Sequence, residues 1–221
     1  MCGRFVQALD PNLVQTEFNL SSTPNIPDRY NVAPTQFAGV ISNDQRDELV
    51  LYKWGLIPSW SKDPTIGGRM INARSETLEE KASFKTPLRR KRCIVPVSGF
   101  YEWQAREGGK FPIYIYPKAQ PIFALAGLWD SWRDPVSGDE LRTFTIITTA
   151  ANGFMRQYHE RMPVILRRED YDLWLSPAEK TPDQLRPLLR PFDEDALTAH
   201  EVSRAVNTPA VDNPTLIERA S

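Results

Sequence analysis

Phe100-Tyr101-Glu102-Trp103-Gln104, Phe111-Pro112-Ile113-Tyr114-Ile115-Tyr116, Phe123-Ala124-Leu125-Ala126-Gly127-Leu128 and Thr143-Phe144-Thr145-Ile146-Ile147-Thr148-Thr149 are four short runs rich in aromatic and β-branched residues. Turn-forming clusters divide them, Gly108-Gly109 and Pro135-Val136-Ser137-Gly138 among them, as expected for strands of an antiparallel meander. Upstream, Cys93-Ile94-Val95-Pro96-Val97 reads as a core strand, its thiol a small buried apolar group. Further toward the N-terminus, Phe37 to Ser42 and Glu48 to Trp54 form a hairpin, preceded by an ordered surface loop from Ser22 to Pro34.

Helices belong to the periphery. Asp10-Pro11 supplies an N-cap and a first-turn proline, Leu9 can staple onto Val14, and the helix is expected to end near Ser21. Thr77 to Glu80 has the form of a capping box for a helix that stops before Pro87, where a second could start, with a basic end at Arg89, Arg90, Lys91 and Arg92. Leu56 to Met70, with its prolines and glycines, reads as a long loop. Beyond the meander come a short helix near Ala151 to Gln157, a strand at Pro163 to Leu166, and helical stretches at Glu169 to Leu175 and Pro182 to Leu189. The sum is one α+β domain over residues 1–221, with twisted antiparallel sheets forming a barrel-like core, peripheral helices and an extended tail over 207–221.

Composition narrows the function. The 221 residues are 41% apolar and 25% charged, in the range of globular proteins. With 27 basic and 28 acidic side chains the net charge is −1, so any nucleic-acid site must be a local patch. No apolar stretch approaches the roughly 20 residues of a membrane span, and the N-terminus lacks a secretory h-region, so a cytoplasmic protein is expected. Two cysteines and two histidines, without metal-ligand spacing or a phosphate-cradling glycine loop, lead to the expectation of no metal and no cofactor.

Five residues invite chemistry, each with a plainer reading beside it. Removal of Met1 would leave Cys2 with a free amine and a thiol on adjacent carbons, able to condense with an aldehyde and close a thiazolidine; simple packing is the alternative. Asn72 and Arg74 stand two apart in an extended segment, suited to orienting a group and gripping a phosphate, or to satisfying loop backbone and pairing with Glu76. Glu102 lies among aromatics, where desolvation would fit it for proton transfer, or on a strand surface. His159 occupies a turn before a strand, a catalytic or a structural position. His200 reads as solvent-exposed.

Met1-Cys2-Gly3-Arg4-Phe5, Tyr30-Asn31-Val32-Ala33-Pro34-Thr35, Trp54-Gly55-Leu56-Ile57-Pro58-Ser59-Trp60, Ile71-Asn72-Ala73-Arg74-Ser75-Glu76-Thr77, Gly99-Phe100-Tyr101-Glu102-Trp103 and His159-Glu160-Arg161-Met162-Pro163 together resemble the SOS response-associated peptidase family. The resemblance runs in register from residue 1 to Asn207. It implies a sensor of abasic sites in single-stranded DNA that crosslinks and shields the lesion through a thiazolidine at Cys2. Asn72 would position the amine, Glu102 would move protons, and His159 would assist sugar ring opening and crosslink reversal. Arg4, Arg74 and Arg161 would grip phosphates, while Trp60 and Pro34 would support the flanking bases. A monomer is expected, with autocatalytic or peptidase-type removal of Met1 and lyase activity at abasic sites as associated chemistry. Two alternatives stand: an N-terminal cysteine hydrolase, as the family name suggests, and a non-covalent reader of unusual DNA. Two positions depart from the family pattern: Ser61 follows Trp60 where some relatives carry a second aromatic, and Glu160 stands where Asp is more familiar.

Overall fold

In a computed structural model, which describes residues 2–220, the meander is the centre of the molecule. The chain runs through β1 (Phe5–Gln7), α1 (Pro11–Phe18), β2 (Arg29–Val32), β3 (Phe37–Ser42), β4 (Gln45–Trp54), β5 (Asn72–Arg74) and α2 (Ala82–Arg90). It continues through β6 (Arg92–Val97), β7 (Gly99–Arg106), β8 (Gly109–Pro117), β9 (Phe123–Arg133) and β10 (Glu140–Ala150). Then follow β11 (Arg161–Pro163), β12 (Ile165–Leu166), α3 (Tyr171–Trp174), α4 (Pro182–Leu185) and β13 (Leu197–Glu201). The expected removal of Met1 lies outside the described residues.

Successive pairings β10–β4, β4–β3, β3–β6, β6–β9 and β9–β10 close a five-stranded ring, the barrel expected from the sequence. Its walls are not purely antiparallel: β4 and β5 both run parallel to β10. Parallel neighbours need long connections, so local hairpin signals could not announce them. Gly127 permits the tight β6–β9 approach, because a Cβ there would sit 2.8 Å from Cys93 Sγ. The β9–β10 turn is held by Asp134, whose Oδ1 accepts from the Val136 and Ser137 amides at 2.7 and 3.1 Å.

A second sheet, ordered β13-β8-β7-β1-β2, lies across the barrel. Gln7 stitches the two together: its buried amide donates to Gly39 O and Pro96 O at 2.9 and 2.8 Å and accepts from Gly39 N at 2.7 Å. Between the sheets sits a core that includes Cys2, Phe5, Trp54, Phe100 and Phe144. β1, β2 and β13 were not anticipated. They are three to five residues long, and β1 and β13 pair with distant parts of the chain, so they carry little local period.

Other boundaries moved for identifiable reasons. α1 is capped by Asp10 as expected but ends at Phe18, where Asn19 turns left-handed (φ 53°). α2 begins at Ala82, after a 3-10 turn at Ser75–Thr77, and runs through Pro87 to Arg90. Phe84, Pro87 and Leu88 bury one face of it, and that tertiary packing overrides the proline's local penalty. The basic cluster is not uniformly a surface: Arg92 is fully buried. The segment after Asn207 is not simply extended. It forms a 3-10 turn at Pro214–Ile217, buries Leu216, and bridges Val202 to Arg219.

Candidate functional site

Cys2 precedes β1 and has no exposed surface. The Tyr101 amide donates to Arg4 O at 2.9 Å, continuing the Phe5–Phe100 pairing of β1 with β7 by one residue. Glu102, on β7, is 3% exposed. Burial, and secondarily the Glu102 charge, push the Cys2 thiol well above its ordinary pKa, while the Arg4 amide hydrogen-bonds to it. Burial likewise raises the Glu102 carboxyl.

Asn72 arrives from the opposite side. It opens β5, paired to Ile146 on β10, and its Nδ2 donates to the Cys2 carbonyl at 3.0 Å. The residue before it is pinned twice, since Ile71 O accepts from Trp54 Nε1 at 2.8 Å and from Ile146 N at 3.1 Å. Asn72 therefore touches Cys2 with little freedom to move.

His159 ends the turn that begins at Met155–Gln157, its amide donating to Met155 O at 2.9 Å. Met155 belongs to the same core as Cys2. His159 Nδ1 accepts from the Arg161 amide at 2.9 Å, which leaves Nε2 to carry the proton of the neutral ring. Burial lowers the His159 pKa, favouring that neutral form. Among the described residues no hydrogen bond joins His159 to Cys2, Asn72 or Glu102.

The three arginines are held differently. Arg4 is half-buried, with Nη1 donating to Asn31 Oδ1 and Val206 O, both at 2.7 Å, and its guanidinium 5.8 Å from the Trp103 ring centroid. Arg74 is exposed at the end of β5, opposite Thr148. Arg161, across β10 from it, forks onto Glu76 at 2.6 and 2.9 Å and donates to Thr148 O at 2.7 Å. Glu76 thus pairs with Arg161 and not with Arg74, and that hydrogen bonding holds its carboxyl below the usual range. Trp60 is 61% exposed. Pro34 is half-buried beside Thr35, whose φ of 70° is strained for a β-branched residue. The expected exposure of His200 is not found: it lies on β13 with Nε2 2.8 Å from Ile217 O, its ring edge-on to Tyr114 and Tyr116.

A family model described as "SOS response associated peptidase (SRAP)" matches residues 1–209. The chain belongs to the SRAP family. Among its relatives, "Abasic site processing protein YoqW" of Bacillus subtilis (strain 168) is 45% identical, over 99% of both chains. "Abasic site processing protein HMCES" of Gallus gallus is 38% identical, over 75% of this chain and 56% of its own length. A crystal structure of a Bacteroides thetaiotaomicron protein superposes with a TM-score of 0.89 at 32% identity, over the whole of both chains.

Within this SRAP fold one residue of the quoted motifs was given no role from the sequence. Asn31, completely buried, not only accepts from Arg4 but donates to Val206 O, Thr208 O and Val211 O at 3.2, 3.1 and 2.7 Å. The signal was an amide inside the otherwise apolar run Tyr30-Asn31-Val32-Ala33, since a buried polar group requires partners. Among the described residues no three His, Cys, Asp or Glu side chains gather as a metal site, and no helix is long and apolar enough to cross a membrane.

Proposed function

We propose that the protein processes abasic sites in single-stranded DNA by forming a thiazolidine crosslink between the sugar aldehyde and Cys2. The observation that carries this is the Asn72 hydrogen bond to the Cys2 carbonyl at 3.0 Å, with Glu102 buried beside the same residue. The abasic site processing relatives support the substrate class.

Once Met1 is removed, the Cys2 amine adds to the aldehyde carbon and water leaves, giving an imine. The thiol sulfur then adds to that carbon while its proton passes to nitrogen, closing the ring. In this order the sulfur attacks an electrophile already attached to its own residue, so the ring closure is intramolecular. Glu102, with a raised pKa, can release and accept protons in these steps. Neutral His159 can offer its Nε2 proton to the sugar ring oxygen as the ring opens. Arg4, Arg74 and Arg161 hold phosphates, and Trp60 and Pro34 support bases, so binding is lesion-specific and indifferent to sequence. The protein acts as a monomer without a cofactor.

Peptide hydrolysis by Cys2 fits less well. Activated cysteines have lowered thiol pKa values, whereas burial and Glu102 raise this one. The test is incubation of the des-Met protein with a single-stranded oligonucleotide bearing one abasic site. A heat-stable shifted band should form with the wild type, vanish in Cys2→Ser and slow by about 100-fold or more in Glu102→Gln. Equal bands from wild type and Cys2→Ser would overturn the reading.

A further inference from the structure

Between the Pro34–Thr35 corner and the 55–71 excursion lies a cavity of about 360 Å³, with Thr35, Lys53, Gly55, Thr65 and Gly68 among its lining residues. That is the small end of ligand-pocket sizes. Lys53 and Trp54 are consecutive on β4 and so face opposite ways. Trp54 belongs to the core that holds Cys2, and both it and Lys53 line the cavity, Lys53 from the outer face of β4. None of the ion pairs among the described residues involves Lys53.

The wall of this cavity is built at a conformational cost. Thr35 keeps φ at 70°, a conformation that persists in a β-branched residue only where the surroundings enforce it. Gly55 has a φ of 119°, and a Cβ there would lie 2.5 Å from Gly67 O, so the two glycines close the floor by direct backbone approach. Gly68, by contrast, faces open space, with no atom within 4 Å of a built Cβ.

Directly across from Lys53 in the β3–β4 ladder is Phe37. Cross-strand partners share a face, with Cβ atoms about 5 Å apart. Phe37 is 49% exposed, and Leu51, next on the same face, is 55% exposed. A half-exposed aromatic ring, a cation with no ion pair among the described residues and a formed cavity therefore adjoin one another, the combination that single-stranded nucleic acid uses.

We propose that this face is a subsite for the DNA strand as it leaves the lesion. A base enters the cavity, Lys53 meets the phosphate beside it, and Phe37 stacks the next base. The inference rests on the abasic-site reading of Cys2 and adds a second stretch of strand contact, reached around Pro34.

The experiment compares crosslinking rates, at subsaturating DNA, for a long abasic oligonucleotide and for oligonucleotides cut to one nucleotide on either side of the lesion. The wild type should favour the long strand by about tenfold or more, as stacking of one or two bases implies. In Phe37→Ala, Lys53→Met and Gly68→Phe the long-to-short ratio should fall toward one, with unfolding temperatures confirming that each variant is folded. Lys53→Met should also flatten the salt dependence of long-strand binding by ~0.7 in log–log slope. Unchanged ratios in all three variants would overturn the subsite. Failure of the wild type to crosslink any of the strands would instead overturn the reading of Cys2.

Discussion

Glu76 occupies both nitrogens of the Arg161 fork, the group that would receive a phosphate. Its side chain is half exposed while that of Arg161 is largely covered, so phosphate can reach the pair only by displacing the carboxylate. Glu76→Gln should therefore strengthen binding of undamaged single strands, by about two- to fivefold for a pair this exposed, as read by fluorescence anisotropy. Glu102 presents the opposite case. Burial raises its pKa, so ionising it costs more in the folded protein than in the unfolded chain. That penalty is absent below the unfolded pKa and complete above the folded one. Glu102→Gln should thus melt higher than wild type at pH 7, the advantage shrinking as pH falls through the carboxylate range, even as crosslinking slows. Thermal melts across that range check the sign.

At the scale of the elements, legibility depended on how locally each was specified. The hairpins β3–β4, β7–β8 and β9–β10 have their turn residues and partners within a few positions, and the sequence expectations located all three. β1, β2, β13 and β5 have too few residues for a period, and β1, β13 and β5 take their partners from far along the chain. α2 shows the limit differently: Pro87 argued for a stop, but Phe84 and Leu88 on either side had a core to fill. Arg92 closes that helix. Its guanidinium donates to Leu88 O and Arg89 O at 3.1 and 2.5 Å, and to Trp174 O, Ser176 O and Ala178 O at 2.8, 2.6 and 3.2 Å. Burial pushes its pKa down to about 10, and within a run of four basic residues nothing marked it as the buried one. Arg92→Met should cost about 3–5 kcal/mol by stranding those carbonyls, lowering the melting temperature by roughly 10 °C.

Across the whole molecule the candidate site is a meeting of distant segments: residue 2, the start of β5, the middle of β7 and the turn before β11. Residue types and their resemblance to a family singled out Cys2, Asn72, Glu102 and His159. The pairing of β1 with β7 in the second sheet, and the parallel pairing of β5 with the barrel strand β10 that carries Asn72 to Cys2, join segments far apart in the chain. With a net charge of −1, DNA must be held by a few placed cations. Three or four phosphate contacts give a log–log salt slope of about −2 to −3, and a slope near zero or steeper than about −6 would be foreign to this arrangement. The most direct test of the central claim is the intact mass of the adduct formed with an abasic single strand in the absence of any reductant. Thiazolidine formation predicts the sum of the des-Met protein and the oligonucleotide less one water, with the DNA mapping to Cys2. An adduct that needs borohydride to survive, or one that forms equally in Cys2→Ser, would contradict it.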